Sequence, residues 1–183
     1  MRRTNLAIAF VLLSALSAAA ARAQEPAGRV QLLGGRVSFV PPNGFKPMSK
    51  EDIAFKYGRL GEAGAPQYAY SNERQNVSVA VGLRGNGGLR PEQLDELKKF
   101  LEADFARGIP GLEWVEREIV TLNGTRWIHL YAKAPAVDTN VVNDIYATIF
   151  DGRLLLFNFN STVAQYEAHK ESLRRSVQTI TVK

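Results

Sequence analysis

The 183-residue chain has no cysteine and only two histidines, His129 and His169. The first absence excludes disulfides, thiolate metal centres and a cysteine-borne lipid anchor. The second excludes the His-x-x-x-His helix of metalloproteases, and no Asp/Glu cluster shows metal-ligand spacing along the chain. No G-x-S-x-G element is present to expose a serine nucleophile. No Lys/Arg tract with interleaved aromatics runs through the chain, so nucleic acid is not an expected partner. Nothing in the spacing of residues assigns a catalytic residue, a metal or a cofactor.

What is present begins with an address. Arg2 and Arg3 precede an apolar stretch, Leu6 to Leu16, that is broken only by Ser14. It is too short for a membrane span of ~20 residues. Ala21-Arg22-Ala23 then forms a small-x-small cleavage site. Residues 1–23 are expected to be a secretory signal peptide, with Gln24 starting the mature chain. Export without cysteine fits a bacterial periplasm, or secretion, with no stable membrane anchor. Taking Arg2, Arg3 and Arg22 from the +5 of the full chain leaves +2, which removes most of the apparent basicity. Residues 24–34 read as a lead-in and 35–183 as one domain of ordinary size.

Periodicity supplies the elements. Pro91 suits a first helical position, and Leu94, Leu97, Leu101 and Phe105 then share one helical face up to Gly108. A second helix starts after Ser161 or Thr162 with Tyr166, Leu173, Val177 and Ile180 as its stripe. A shorter one, capped by Ser49, runs to Tyr57. Strands are expected at 36–40, 67–71, 76–83, 112–122, 125–134, 141–150 and 153–160. Asn123-Gly124 and Asp151-Gly152 are two-residue hairpin turns. They set Val120 opposite Trp127, Glu118 opposite His129, Glu116 opposite Tyr131 and Trp114 opposite Lys133, with Ile119 facing Ile128 and Val115 facing Ala132. A bulge would shift some of these pairs by one. The second hairpin is apolar on both faces, with Leu154 and Leu156 on one and Leu155, Phe157 and Phe159 on the other. Both faces must therefore be covered. The expected fold is α+β: an antiparallel meander sheet with helices on both faces, a three-layer α/β/α sandwich.

The stretch VAVGLRGNGGLRPEQLDEL at 79–97 places a glycine cluster between a strand and a helix, the arrangement of phosphate-binding loops. Arg90 stands where the third glycine of the dinucleotide fingerprint belongs, and no Lys-Ser/Thr follows Gly88. Glu92, Asp95 and Glu96 occupy the helix start and repel an anion there. The loop is expected to be a flexible connector or rim, with no nucleotide.

The side chains that carry chemistry gather on one strand face. His129 lies opposite Glu118, with Trp127 and Tyr131 two positions away. A Glu–His pair beside aromatics can serve as a general base or stand as a cross-strand charged pair. Glu118, Trp127, His129 and Tyr131 form the candidate binding surface. Trp127 has two readings: a cleft wall beside His129 and Tyr131, or a residue covered by a helix.

The segments GRVSFVPPNGF at 35–45 and DGRLLLFNFNSTVAQYEAHKESLRRSVQTI at 151–180 resemble the opening and closing blocks of the PsbP-like proteins. The resemblance spans Gly35 to Lys183 and is strongest toward the bacterial DcrB-like envelope proteins. It implies an antiparallel sheet between helices and roles in binding or scaffolding, among them an extrinsic subunit of photosystem II, a Ran-binding nuclear factor and adaptor chaperones of type VI secretion. It carries over no functional residue. The chain departs from DcrB-like lipoproteins in lacking a lipidation cysteine. The expected function is a non-enzymatic periplasmic accessory protein acting on an envelope or secreted protein. Two alternatives stand beside it: a carrier of an apolar ligand or lipid, and a hydrolase using Glu118 and His129.

Overall fold

The computed structural model describes residues 28–135 and 139–183. The expected signal segment at 1–23 and its cleavage point lie outside these residues. In chain order the elements are β1 (Val30–Leu32), β2 (Val37–Phe39), β3 (Lys46–Pro47), α1 (Lys50–Tyr57), α2 (Gly61–Gly64), β4 (Tyr68–Ser71), β5 (Val77–Arg84), α3 (Leu94–Gly108), β6 (Glu113–Leu122), β7 (Thr125–Pro135), β8 (Asn140–Phe150), β9 (Arg153–Thr162), α4 (Val163–Val177) and β10 (Thr181–Val182). Among the described residues no helix is long and apolar enough to cross a membrane.

A seven-stranded antiparallel sheet in the order β3-β4-β5-β9-β8-β7-β6 forms the centre. Its two long hairpins are set by turns in which both residues have positive φ: Asn123 at 49° with Gly124 at 82°, and Asp151 at 51° with Gly152 at 70°. This backbone twist matches that of the flanking strands. The register is the expected one near the first turn, with Val120 opposite Trp127, Glu118 opposite His129 and Glu116 opposite Tyr131. Farther out a bulge between Trp114 and Glu116 displaces the expected pairs. Trp114 faces Ala132 and Glu113 faces Lys133. The extra residue, Val115, turns toward solvent, as a bulge leaves it without a ladder partner.

Each sheet face is covered. On one side α3 seats Leu94 and Leu101 on Ile128, Leu130, Ile145 and Ala147, with Leu97 and Phe105 at the margin. Lys99 is exposed, while Lys98 is half-buried and paired with Glu102 at 2.6 Å. On the other side α4 brings Tyr166, Leu173 and Val177 onto Trp127, Val142, Tyr146, Phe157 and Phe159. Ile180 lies past the end of α4 and is still buried in the same core. The α4 layer is extended by a second sheet, β1-β2-β10, that the periodicity did not foresee. Its first strand comes from the segment read as a lead-in, and Leu32, Val37 and Phe39 join the core through it. The architecture is thus the expected helix-covered antiparallel sheet.

The glycine loop is tied to the second hairpin. Leu89 N donates to Gly152 O at 2.9 Å, and a Cβ on Gly152 would meet Gly88 N at 3.0 Å. Gly152 is therefore required twice over, by its positive φ and by this close approach.

Candidate functional site

Three strands and one helix bring a polar cluster together beneath α4. Period-two alternation sends Trp127, His129 and Tyr131 of β7 to the α4 side. In β8 the same alternation sends Asp144 and Tyr146 there, and pairing sets His129 opposite Tyr146 and Tyr131 opposite Asp144. The register of β6 on β7 puts Glu116 and Glu118 on this face, beside His129. Helix α4 adds Tyr166 and Arg174. The result is a cavity of about 190 Å³ lined by Glu116, His129, Tyr131, Asp144, Tyr146, Tyr166, Arg174 and Gln178.

His129 is the centre of this cluster. It is 6% exposed, and Asp144 beside it is 5% exposed. His129 Nε2 and Asp144 Oδ1 are 2.8 Å apart, a buried hydrogen bond. The other ring nitrogen, Nδ1, faces Glu116 Oε2 and Glu118 Oε1, each at 3.6 Å. The imidazole lies flat on the Tyr146 ring, 4.5 Å between centroids and 9° between planes. Tyr131 stacks in turn on Tyr166 at 5.5 Å. Burial alone would depress the imidazole pKa. The Asp144 hydrogen bond and charge, joined by Glu116 and Glu118, outweigh that and hold it above the ordinary histidine value. Burial drives the Tyr146 and Tyr166 hydroxyls the other way from reactivity, far above the usual phenol value.

Of the residues expected from sequence, the structure brings Glu118, His129 and Tyr131 together and removes Trp127. Trp127 is fully buried and sits edge-on to Phe157 at 6.0 Å. It belongs to the packing beneath the cluster and lines no part of the cavity. Of the two readings of Trp127, the covered one holds, although the indole carries a polar handle. Here that handle, Nε1, is buried without a hydrogen-bond partner. Asp144, Tyr146, Tyr166, Arg174 and Glu116 are the members that sequence reasoning did not select. One signal was available for Asp144: a carboxylate inside VVNDIYATIF, an otherwise apolar strand, demands a buried partner.

The neighbouring carboxylates favour the charged form of the His129 imidazole over the neutral form that a general base needs. Among the described lining residues there is no Ser, Thr or Lys to activate, and the buried phenols stay neutral. A second recess, about 480 Å³, lies on the opposite face as an open groove between Gly85–Leu89 and α3. Phe100 on its edge is 61% exposed.

No family model and no curated protein matches the sequence. Solved structures do resemble it. Cyanobacterial PsbP (CyanoP) from Synechocystis sp. PCC 6803 aligns with a TM-score of 0.55 and 13% identity over 85% of this chain and 91% of that one. The Ran-binding protein Mog1p of Saccharomyces cerevisiae aligns at 0.54 and 19% identity, over 84% and 94%. LpqN of Mycobacterium tuberculosis, involved in cell envelope biogenesis, aligns at 0.55 and 13%, over 79% and 83%. At such identities the likeness is one of fold, and the fold of this chain is PsbP-like.

Proposed function

We propose that this protein is a non-enzymatic accessory protein of the bacterial envelope, exported to the periplasm, that binds a protein partner. The observation that carries this reading is the fold it shares over most of its length with LpqN, an envelope-biogenesis protein, and with Mog1p, a protein that binds Ran. Fold alone does not transfer the roles of these proteins. The His129 cluster agrees with a binding role. Its imidazole is held in place by Asp144 and Tyr146, and the Tyr146 and Tyr166 phenols are buried.

The hydrolase reading with Glu118 and His129 needs a neutral imidazole, which the surrounding carboxylates disfavour. The ligand-carrier reading calls for an enclosed apolar chamber of roughly 300–1,000 Å³. The cavity under α4 is about 190 Å³ and lined mainly by polar groups.

Affinity capture from envelope extracts with the untagged protein coupled to resin, at several salt concentrations, tests the proposal. A discrete protein retained at physiological salt and lost on competition with free protein is expected. Recovery of the bait alone at every salt concentration would overturn it.

A further inference from the structure

Glu116, Glu118 and His129 stand close enough to hold one ion. Their nearest donor atoms all lie within 4.8 Å of one another. We propose that His129 Nδ1, with one carboxylate oxygen each from Glu116 and Glu118, forms a binding site for a divalent first-row metal ion of the zinc class. This goes beyond the accessory role and does not depend on it.

Four features support the assignment. First, the two Nδ1–carboxylate distances suit a bridging ion better than a hydrogen bond. Nδ1 lies 3.6 Å from each glutamate oxygen, longer than an N–H···O contact. An ion about 2.1 Å from each of two donors 3.6 Å apart subtends an angle of about 118°, near the tetrahedral value that zinc adopts.

Second, the ring is held as a ligand is held. Metal-binding histidines donate their other N–H to a carboxylate, which fixes the tautomer and the ring plane. Asp144 does this to Nε2 at 2.8 Å, at a buried position, while the Tyr146 ring supports the imidazole from below. The nitrogen left over is therefore aimed, from a side chain more than nine-tenths buried, into the space between two carboxylates. An acidic cluster on a solvated surface has no such element.

Third, the backbone is shaped for it. The Asn123-Gly124 turn fixes the register that sets Glu118 opposite His129 and Glu116 opposite Tyr131, so both carboxylates stand on the His129 face. Glu116 and Glu118 are 49% and 59% exposed at the side chain, so an ion can enter from solvent and the carboxylates can close on it.

Fourth, charge and donor type agree. Three carboxylates, Glu116, Glu118 and Asp144, surround one imidazole, with Arg174 across the cavity. A divalent ion offsets the excess of negative charge in this group. One imidazole with two carboxylates suits zinc and its first-row neighbours, whereas Mg²⁺ and Ca²⁺ favour oxygen-only sets.

The test is calorimetric titration of the untagged, chelator-treated protein with Zn²⁺ alone. Glu116→Gln, Glu118→Gln, the double variant and Asp144→Asn are measured beside it. Wild type should bind one equivalent, and each glutamate variant should bind at least ~10-fold more weakly. The double variant should show no binding at that site. Asp144→Asn, which changes no ligand, should weaken binding by about 10–100-fold. The two glutamates are exposed, so their variants should keep the wild-type circular dichroism and metal-free melting temperature. Failure of wild type to bind Zn²⁺ overturns the proposal. So does stoichiometric binding that the double variant leaves unchanged, or Mg²⁺ binding at equal affinity.

Discussion

The two faces of β7 differ in what they ask of their neighbours. Ile128, Leu130 and Ala132 point toward α3, where Leu94 and Leu101 cover them in an aliphatic layer. Trp127, His129 and Tyr131 point toward α4, into aromatic rings, a buried carboxylate and a cavity. The first face needs only volume and apolarity, so many substitutions of similar size would serve it. The second needs specific partners, because a buried imidazole and a buried carboxylate cost several kcal/mol each unless paired. One strand thus carries packing on one side and chemistry on the other, and the boundary between them is one residue wide.

The largest effects should come where both faces are plain core. Trp127→Ala should cost about 3–5 kcal/mol and Leu130→Ala about 2–5 kcal/mol in chemical denaturation, since each leaves a cavity in a fully buried site. A small loss at Trp127 would return that residue to the surface and break the contrast between packing and chemistry.

Next in size is the polar pair. Asp144→Asn should cost about 1–3 kcal/mol, because the charge-assisted bond to His129 loses its anion inside the fold. The same measurement on Asp95→Asn, whose contact with Arg126 is exposed, should show a change of less than about 1 kcal/mol.

Gly152→Ala sharpens the picture at the edge of the α3 side. It should cost about 1 kcal/mol or more, since alanine is strained at φ +70 and its Cβ would press on Gly88 N. Hydrogen exchange should also speed up at Leu89, whose amide donates to Gly152.

The smallest effect concerns pH. The hydrogen bond from Arg36 holds the Asp151 carboxyl below its ordinary value. A lowered folded-state pKa contributes stability that is present above the unfolded value, about 3.9. That contribution is lost as pH falls through the folded value. Asp151→Asn should therefore lower stability slightly at neutral pH, with the difference from wild type vanishing as pH falls toward 2, and the effect is small because the pair is exposed to solvent. The matching measurement is the denaturation midpoint of both proteins from pH 2 to 7.

Parts of this arrangement were legible in the residues. Asn123-Gly124 and Asp151-Gly152 are turns with one favoured geometry, so the pairing of Glu118 with His129 followed from counting outward. The two-sided apolarity of 153–160 called for cover on both faces, and the helices supply it. What counting could not reach was the pairing of β7 with β8. Their connection, from Pro135 to Asn140, has no two-residue turn signature, so nothing in the chain placed Asp144 beside His129. Tyr166 and Arg174 reach the cluster only through the docking of α4, a tertiary event. The bulge at Val115 has no local marker such as glycine. The strands at 30–32 and 181–182 are too short to show a period. Trp127 stayed open between cleft wall and covered residue because its neighbours two positions away are polar, while cover by Phe157 is invisible along the chain.

The contrast between the faces rests on His129 being held, with Nδ1 left for a ligand. With only two histidines in the chain, nitrogen-15 histidine NMR of the metal-free protein, followed by addition of Zn²⁺, tests this directly. The predicted spectrum has an exchange-protected proton on His129 Nε2. It also has a large Zn²⁺-induced shift at His129 Nδ1, with His169 unchanged. A His129 ring that exchanges freely, or that ignores Zn²⁺ while His169 responds, would contradict it.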